Sequence, residues 1–120
     1  MPRDIAFYRG HDTQVLVNEH PLRRIAFFQP DQPWNWSTSD GRLDLSLSIL
    51  AHHFNDRRLT AERMQQLTAQ TGEEMTAPVT LIYFRAFAKE VISTWGSTWD
   101  YTTNDIVCWL IAHHKQRRKE

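Results

Sequence analysis

Residues 76–95, TAPVTLIYFRAFAKEVISTW, carry the longest uninterrupted helical pattern in the chain. Val79, Ile82, Tyr83, Ala86, Phe87, Val91 and Trp95 recur at three- and four-residue spacing, which places them on one broad stripe. Thr76 is a suitable N-cap, Pro78 falls in the first turn where its missing N–H costs nothing, and Gly96 follows as a stop. Tyr83, Phe87 and Trp95 bring so much apolar area that the remainder of the chain has to cover this helix. The pattern predicts a core element at about 77–95 and by itself carries no chemistry.

What can cover it is bounded by size. With 120 residues, 41% of them apolar and 23% charged, the chain suits one domain, 1–120, with an unstapled core. Fourteen basic residues balance fourteen acidic ones, and each half of the chain is balanced too, which argues against a protein living on nucleic-acid phosphates. Cys108 is the single cysteine, has no internal disulfide partner, and reads as a small buried core residue. The start, MPRDIAFYRG, lacks the apolar stretch of a signal peptide, and no run reaches membrane-spanning length, so a cytoplasmic location is expected.

Residues 5–9, 14–17 and 22–28 are rich in strand formers and are separated by turn residues, which predicts an antiparallel meander over 4–28. Residues 29–41 hold two prolines and then Trp34 and Trp36, which project to one side if that segment is extended. Ser39 or Asp40 is placed to cap a helix at about 41–54, with Leu43, Leu47, Leu50 and Phe54 as its stripe and Leu45 and Ile49 widening it. Thr60 is placed to cap a polar helix near 61–71, and residues 97–101 read as a connection. The run 102–105 resembles a capping box for a last helix at 103–117, with Ile106, Trp109, Leu110 and His113 on one face. The expected class is α+β: a small N-terminal antiparallel sheet packed on three to four helices.

Trp36 to Leu50, WSTSDGRLDLSLSIL, presents a Trp, a small-residue loop, a Gly and a Leu-rich helix. Tyr83, Phe87, Glu90, Val91 and Ile92 follow, then Trp99, Tyr101, Thr102, Asp105, Ile106 and Trp109. Together with the N-terminal hairpin these motifs resemble a small domain family of unknown function encoded by bacteria, their phages and plasmids. Ser37, Thr38 and Arg42 stand where that family usually carries a glycine-rich turn and a proline. The resemblance implies the fold and a mobile-element setting, and supplies no catalytic residues.

No constellation for catalysis assembles from the residues, and a non-enzyme without cofactor or metal is expected. His52-His53 and His113-His114 invite a metal reading, but adjacent residues on a helix diverge by about 100°. One His from each pair with Cys108 remains the weaker alternative to helix-end histidines that complement the dipole. Five Trp, three Tyr and several Arg resemble interface composition. Trp95 and Trp109 fall on helix stripes and read as core. Trp34, Trp36 and Trp99 lie in irregular segments and are either a lid on the core or a contact surface. With Arg57 and Arg58 they form the candidate partner-binding set. The favoured expectation is a non-catalytic protein-binding module of a mobile element, a monomer or homodimer, acting on a host protein complex. Inhibition of host defence of the anti-CRISPR type is its specific form. The alternative is a nucleic-acid-binding accessory using Arg117, Arg118 and Lys119, with stacking by Trp34 or Trp36. A third and weaker reading is a metal-dependent nuclease or hydrolase.

Overall fold

The computed structural model describes residues 5–69 and 79–118, with the side chains of 67–69 and 117–118 left aside. Thr76 and Pro78, the expected start of the central helix, lie outside the described residues, as does Lys119. The element order is β1 (Phe7–His11), β2 (Gln14–Val17), β3 (His20–Pro21), α1 (Ser39–His53), α2 (Ala61–Ala69), α3 (Val79–Glu90), a 3-10 turn (Ile92–Thr94), β4 (Thr98–Thr102) and α4 (Thr103–Arg118). The architecture is α+β, with one antiparallel sheet in the order β3-β2-β1-β4.

Local chemistry accounts for the hairpins. Asn18 and Glu19 both adopt positive φ, 51° and 69°, as the tight turn between β2 and β3 requires. The Asn18 side chain then accepts the Phe7 N–H at 2.9 Å, which fastens this turn to β1. Gly10 of β1 pairs with Trp99 of β4, and the indole lies so close that a Cβ at residue 10 would sit 2.3 Å from it.

The sheet differs from the expected meander at both edges. The third strand is only His20–Pro21, not residues 22–28. Leu22 still donates to Val15 O of β2 at 3.1 Å, but the N–H groups of Ile25, Phe27 and Phe28 bond to side chains of α1. Asp44 accepts from Phe27, Phe28 and Gln29 at 3.0, 2.8 and 2.8 Å, and Ser48 accepts from Ile25 at 2.9 Å. The stretch expected to be a connection, by contrast, supplies β4, which pairs with β1 from Phe7↔Thr102 to His11↔Thr98.

The most deeply buried element is α1, not the stretch at 76–95. Leu45, Leu47, Ile49 and Leu50 are fully buried, and so are Asp44, Ser46 and Ser48 between them. The polar residues are satisfied locally, as burial demands: Ser46 donates to the Phe84 carbonyl at 2.6 Å, joining α1 to α3. Thr38, not Ser39 or Asp40, caps α1, accepting from the Gly41 N–H at 3.1 Å. Gly41 is there because a Cβ would meet the Asn35 carbonyl at 1.5 Å.

The buried stripe of α3 is rotated from the expected one. Thr80, Phe84, Phe87 and Ala88 face inward, whereas Val79 and Ile82 are exposed. Covering α1 decides the phase: Phe84 and Phe87 pack into the shared cluster. The helix stops at Glu90, and a 3-10 turn carries the chain to Trp95 before Gly96. Thr60 caps α2 through the Arg63 N–H. Thr102 and Asp105 form the reciprocal box at the start of α4, at 3.2 and 3.0 Å. Cys108 is exposed rather than core, because Ile106 and Trp109 take the inward face of α4. No described helix is long and apolar enough to cross a membrane.

Candidate functional site: a tryptophan groove

Three of the five residues singled out for partner contact converge. Trp36 is buried and donates its indole N–H to the Gly96 carbonyl at 2.7 Å. Its ring meets Trp99 edge-on at 5.8 Å, and Trp99 stacks on Trp95 at 4.1 Å with planes 21° apart. Trp34 stands nearby, half-buried, with the Arg24 guanidinium over its ring at 5.1 Å. The segment 33–37 and the chain at 95–97 face one another across a groove of about 470 Å³, closed at one end by Asp12 and Thr13 of the β1–β2 turn. The Asp12 N–H donates to Ser97 O at 3.0 Å and holds that end in place.

The lid and contact readings of these tryptophans separate by residue. Trp36 and Trp99 are 5% and 7% exposed, which suits the lid reading, with Trp36 lining the groove and Trp99 packed against Trp36 and Trp95. Trp34 keeps accessible surface. Trp95, expected to be core, is half-buried and forms part of the groove wall. The signal that could have found Trp95 was its spacing from Gly96 and Trp99: once 98–102 is a strand, residue 95 leaves the helix stripe. Asp12 is the only charged residue in the described lining, which otherwise offers ring faces, Pro33 and the amide and hydroxyl groups of Gln32, Asn35 and Ser37. Such a lining suits stacking and hydrogen bonding.

Arg57 and Arg58 are not part of this groove. Both are exposed after α1, and the Arg57 Nε donates to Asn55 Oδ1 at 3.0 Å. Arg117 and Arg118 are the last two residues of α4, and Lys119 lies outside the described residues.

The histidine pairs also part company. His52 Nδ1 lies 2.7 Å from the Tyr8 hydroxyl, and burial holds its pKa below the usual 6.5. The His53 ring meets Phe54. His113 stacks on Trp109 at 5.0 Å and approaches Glu90 at 3.8 Å, while His114 Nε2 lies 2.6 Å from the Tyr83 hydroxyl. Among the described residues no three His, Cys, Asp or Glu side chains gather as a metal set. Tyr101, beside Trp95, has its phenol pushed up to about 12, first by burial and then by Asp105 and Cys108.

No family model, no curated protein and no solved structure matches this chain.

Proposed function

We propose that this protein is a non-catalytic protein-binding module whose tryptophan groove takes an extended segment of its partner. The observation that carries this reading is the arrangement of Trp34 and Trp95, each partly accessible, around a groove lined by the buried Trp36. Aromatic walls beside side-chain amides suit an extended chain, because rings contact its apolar residues while the amides meet its backbone. Asp12 at one end adds a preference for a basic residue there. The motif resemblance supplies the setting: a mobile-element protein acting on a host complex, with interference in CRISPR–Cas defence as its specific form.

The test is a plasmid-interference assay in CRISPR-proficient bacteria expressing this chain, coupled to affinity purification of the complex. Wild type and Lys89→Ala should protect the plasmid and retain the same host complex. Trp34→Ala should lose both while its thermal melt stays close to wild type. Retained binding in Trp34→Ala would remove the groove from the reading. A gel shift with DNA or RNA at physiological salt, lost on neutralising Arg117, Arg118 and Lys119, would replace it with the nucleic-acid alternative.

A further inference from the structure

We propose that a second cleft, between the last turn of α1, β1 and the first residue of α4, binds a small monocarboxylate with a short apolar body. The cleft encloses about 350 Å³, within the range of small-molecule sites. Ala6, Leu22 and Ala51 give it an apolar side, and Arg23, His52 and Arg57 give it a donor side. This site is independent of the tryptophan groove, with which it shares no lining residue.

Charge decides the ligand class. Arg23 donates to two neutral carbonyls, Leu59 O at 2.7 Å and Asp56 O at 3.1 Å, so its charge is fixed in place without being cancelled. Arg57 spends its Nε on the neutral Asn55 amide, and among the described residues its terminal nitrogens meet no acceptor. Neither guanidinium belongs to an ion pair among the described residues. Asp56 is the one carboxylate in the described lining. Two cations against one anion leave a single positive charge, which a monoanion balances. A dianionic phosphate would face Asp56 and the carbonyl end of α1, both of which oppose a second negative charge. The Tyr8 hydroxyl and His52 Nδ1 share a hydrogen bond, and in the tautomer in which the hydroxyl donates, Nε2 carries the ring proton and is a donor. Partial burial lowers the pKa of this ring and so favours its neutral form.

Two sources offer this chemistry: a free small acid and the C-terminal carboxylate of a peptide. The experiment is a ¹⁵N–¹H NMR titration of the full chain with sodium hexanoate, and in parallel with an apolar tripeptide bearing a free or an amidated C-terminus. Hexanoate should shift the amides of Leu22, Ala51 and His52, and hexanol should not. Arg57→Gln changes an exposed side chain and should weaken binding by about tenfold or more, whereas Arg58→Gln, outside the lining, should leave it unchanged. Binding of the free-carboxylate peptide but not its amide would assign a chain terminus as a further source, and binding of hexanoate alone would assign a free acid. No shift with either carboxylate, shifts undiminished in Arg57→Gln, or inorganic phosphate binding as tightly as hexanoate would overturn the assignment.

Discussion

The Tyr8 hydroxyl lies 2.7 Å from Nδ1 of His52, which ties the middle of the sheet to the last turn of α1. Burial lowers the His52 pKa, so the unfolded chain takes up this proton more readily than the folded one. The contribution to stability is therefore full above the ordinary value of 6.5 and declines as the pH falls below it. Thermal melts from neutral pH to about pH 5 should show the melting temperature dropping, and His52→Gln should flatten that part of the curve. An equal slope in the variant would assign the acid sensitivity to other groups.

Asp44 holds residues 27–29 by accepting three backbone N–H groups from inside the core. Asp44→Ala leaves all three without a partner and should cost about 3–5 kcal/mol in urea denaturation. Asp100→Ala, at an exposed position of β4, should change stability by less than about 0.5 kcal/mol. A comparable loss at both positions would mean that the loop finds other acceptors.

Three glycines should respond differently to a methyl group. Gly41→Ala meets a backbone carbonyl that cannot move aside, so α1 must shift and the protein should fail to fold stably. Gly10→Ala drives into the Trp99 ring and should lose cooperativity of melting along with the near-ultraviolet signal of the tryptophan cluster. Gly96 has open space around it and no positive φ, so Gly96→Ala should be neutral or stabilising by up to about 1 kcal/mol.

Phe87 tests the phase of α3. It is fully buried and meets Trp95, Tyr101 and Trp109 edge-on at 6.3, 5.7 and 5.2 Å. Phe87→Ala should cost about 3–5 kcal/mol through lost transfer energy and a cavity. Lys89→Ala, two positions on and exposed, should cost less than about 0.5 kcal/mol. Equal effects in equilibrium unfolding would contradict the packing of this helix.

The parts of this fold that were legible in the sequence obey short-range rules. Thr60 and the Thr102–Asp105 box announce α2 and α4 because caps act within one turn. The α+β class followed from two kinds of periodicity. What escaped was decided by partners distant in sequence. Residues 22–28 have strand composition, but whether their N–H groups meet a strand or Asp44 depends on α1. β4 has too little pattern of its own to be seen apart from β1. Val79 and Ile82 are as apolar as Phe84, and only the packing of α3 on α1 leaves them exposed. Of the candidate site, Trp34 and Trp36 were visible as a pair in an irregular segment. Trp95 was assigned to the helix stripe, and its place in the groove follows from the 3-10 turn that ends that stripe early.

β1 lies between β2, which it meets through a two-residue turn, and β4, which pairs Phe7 with Thr102. This interior strand is made before both of its neighbours and receives the second only after α1, α2 and α3. During synthesis, one edge of β1 must wait until residue 102 has left the ribosome. Until then the Gly10 surface lacks the Trp99 ring that covers it. The β1–β4 pairing is a non-local contact, the kind whose loop-closure cost slows folding. An unpaired edge of β1 is a template for other strands, so the β1–β4 pairing also removes a site for mispairing.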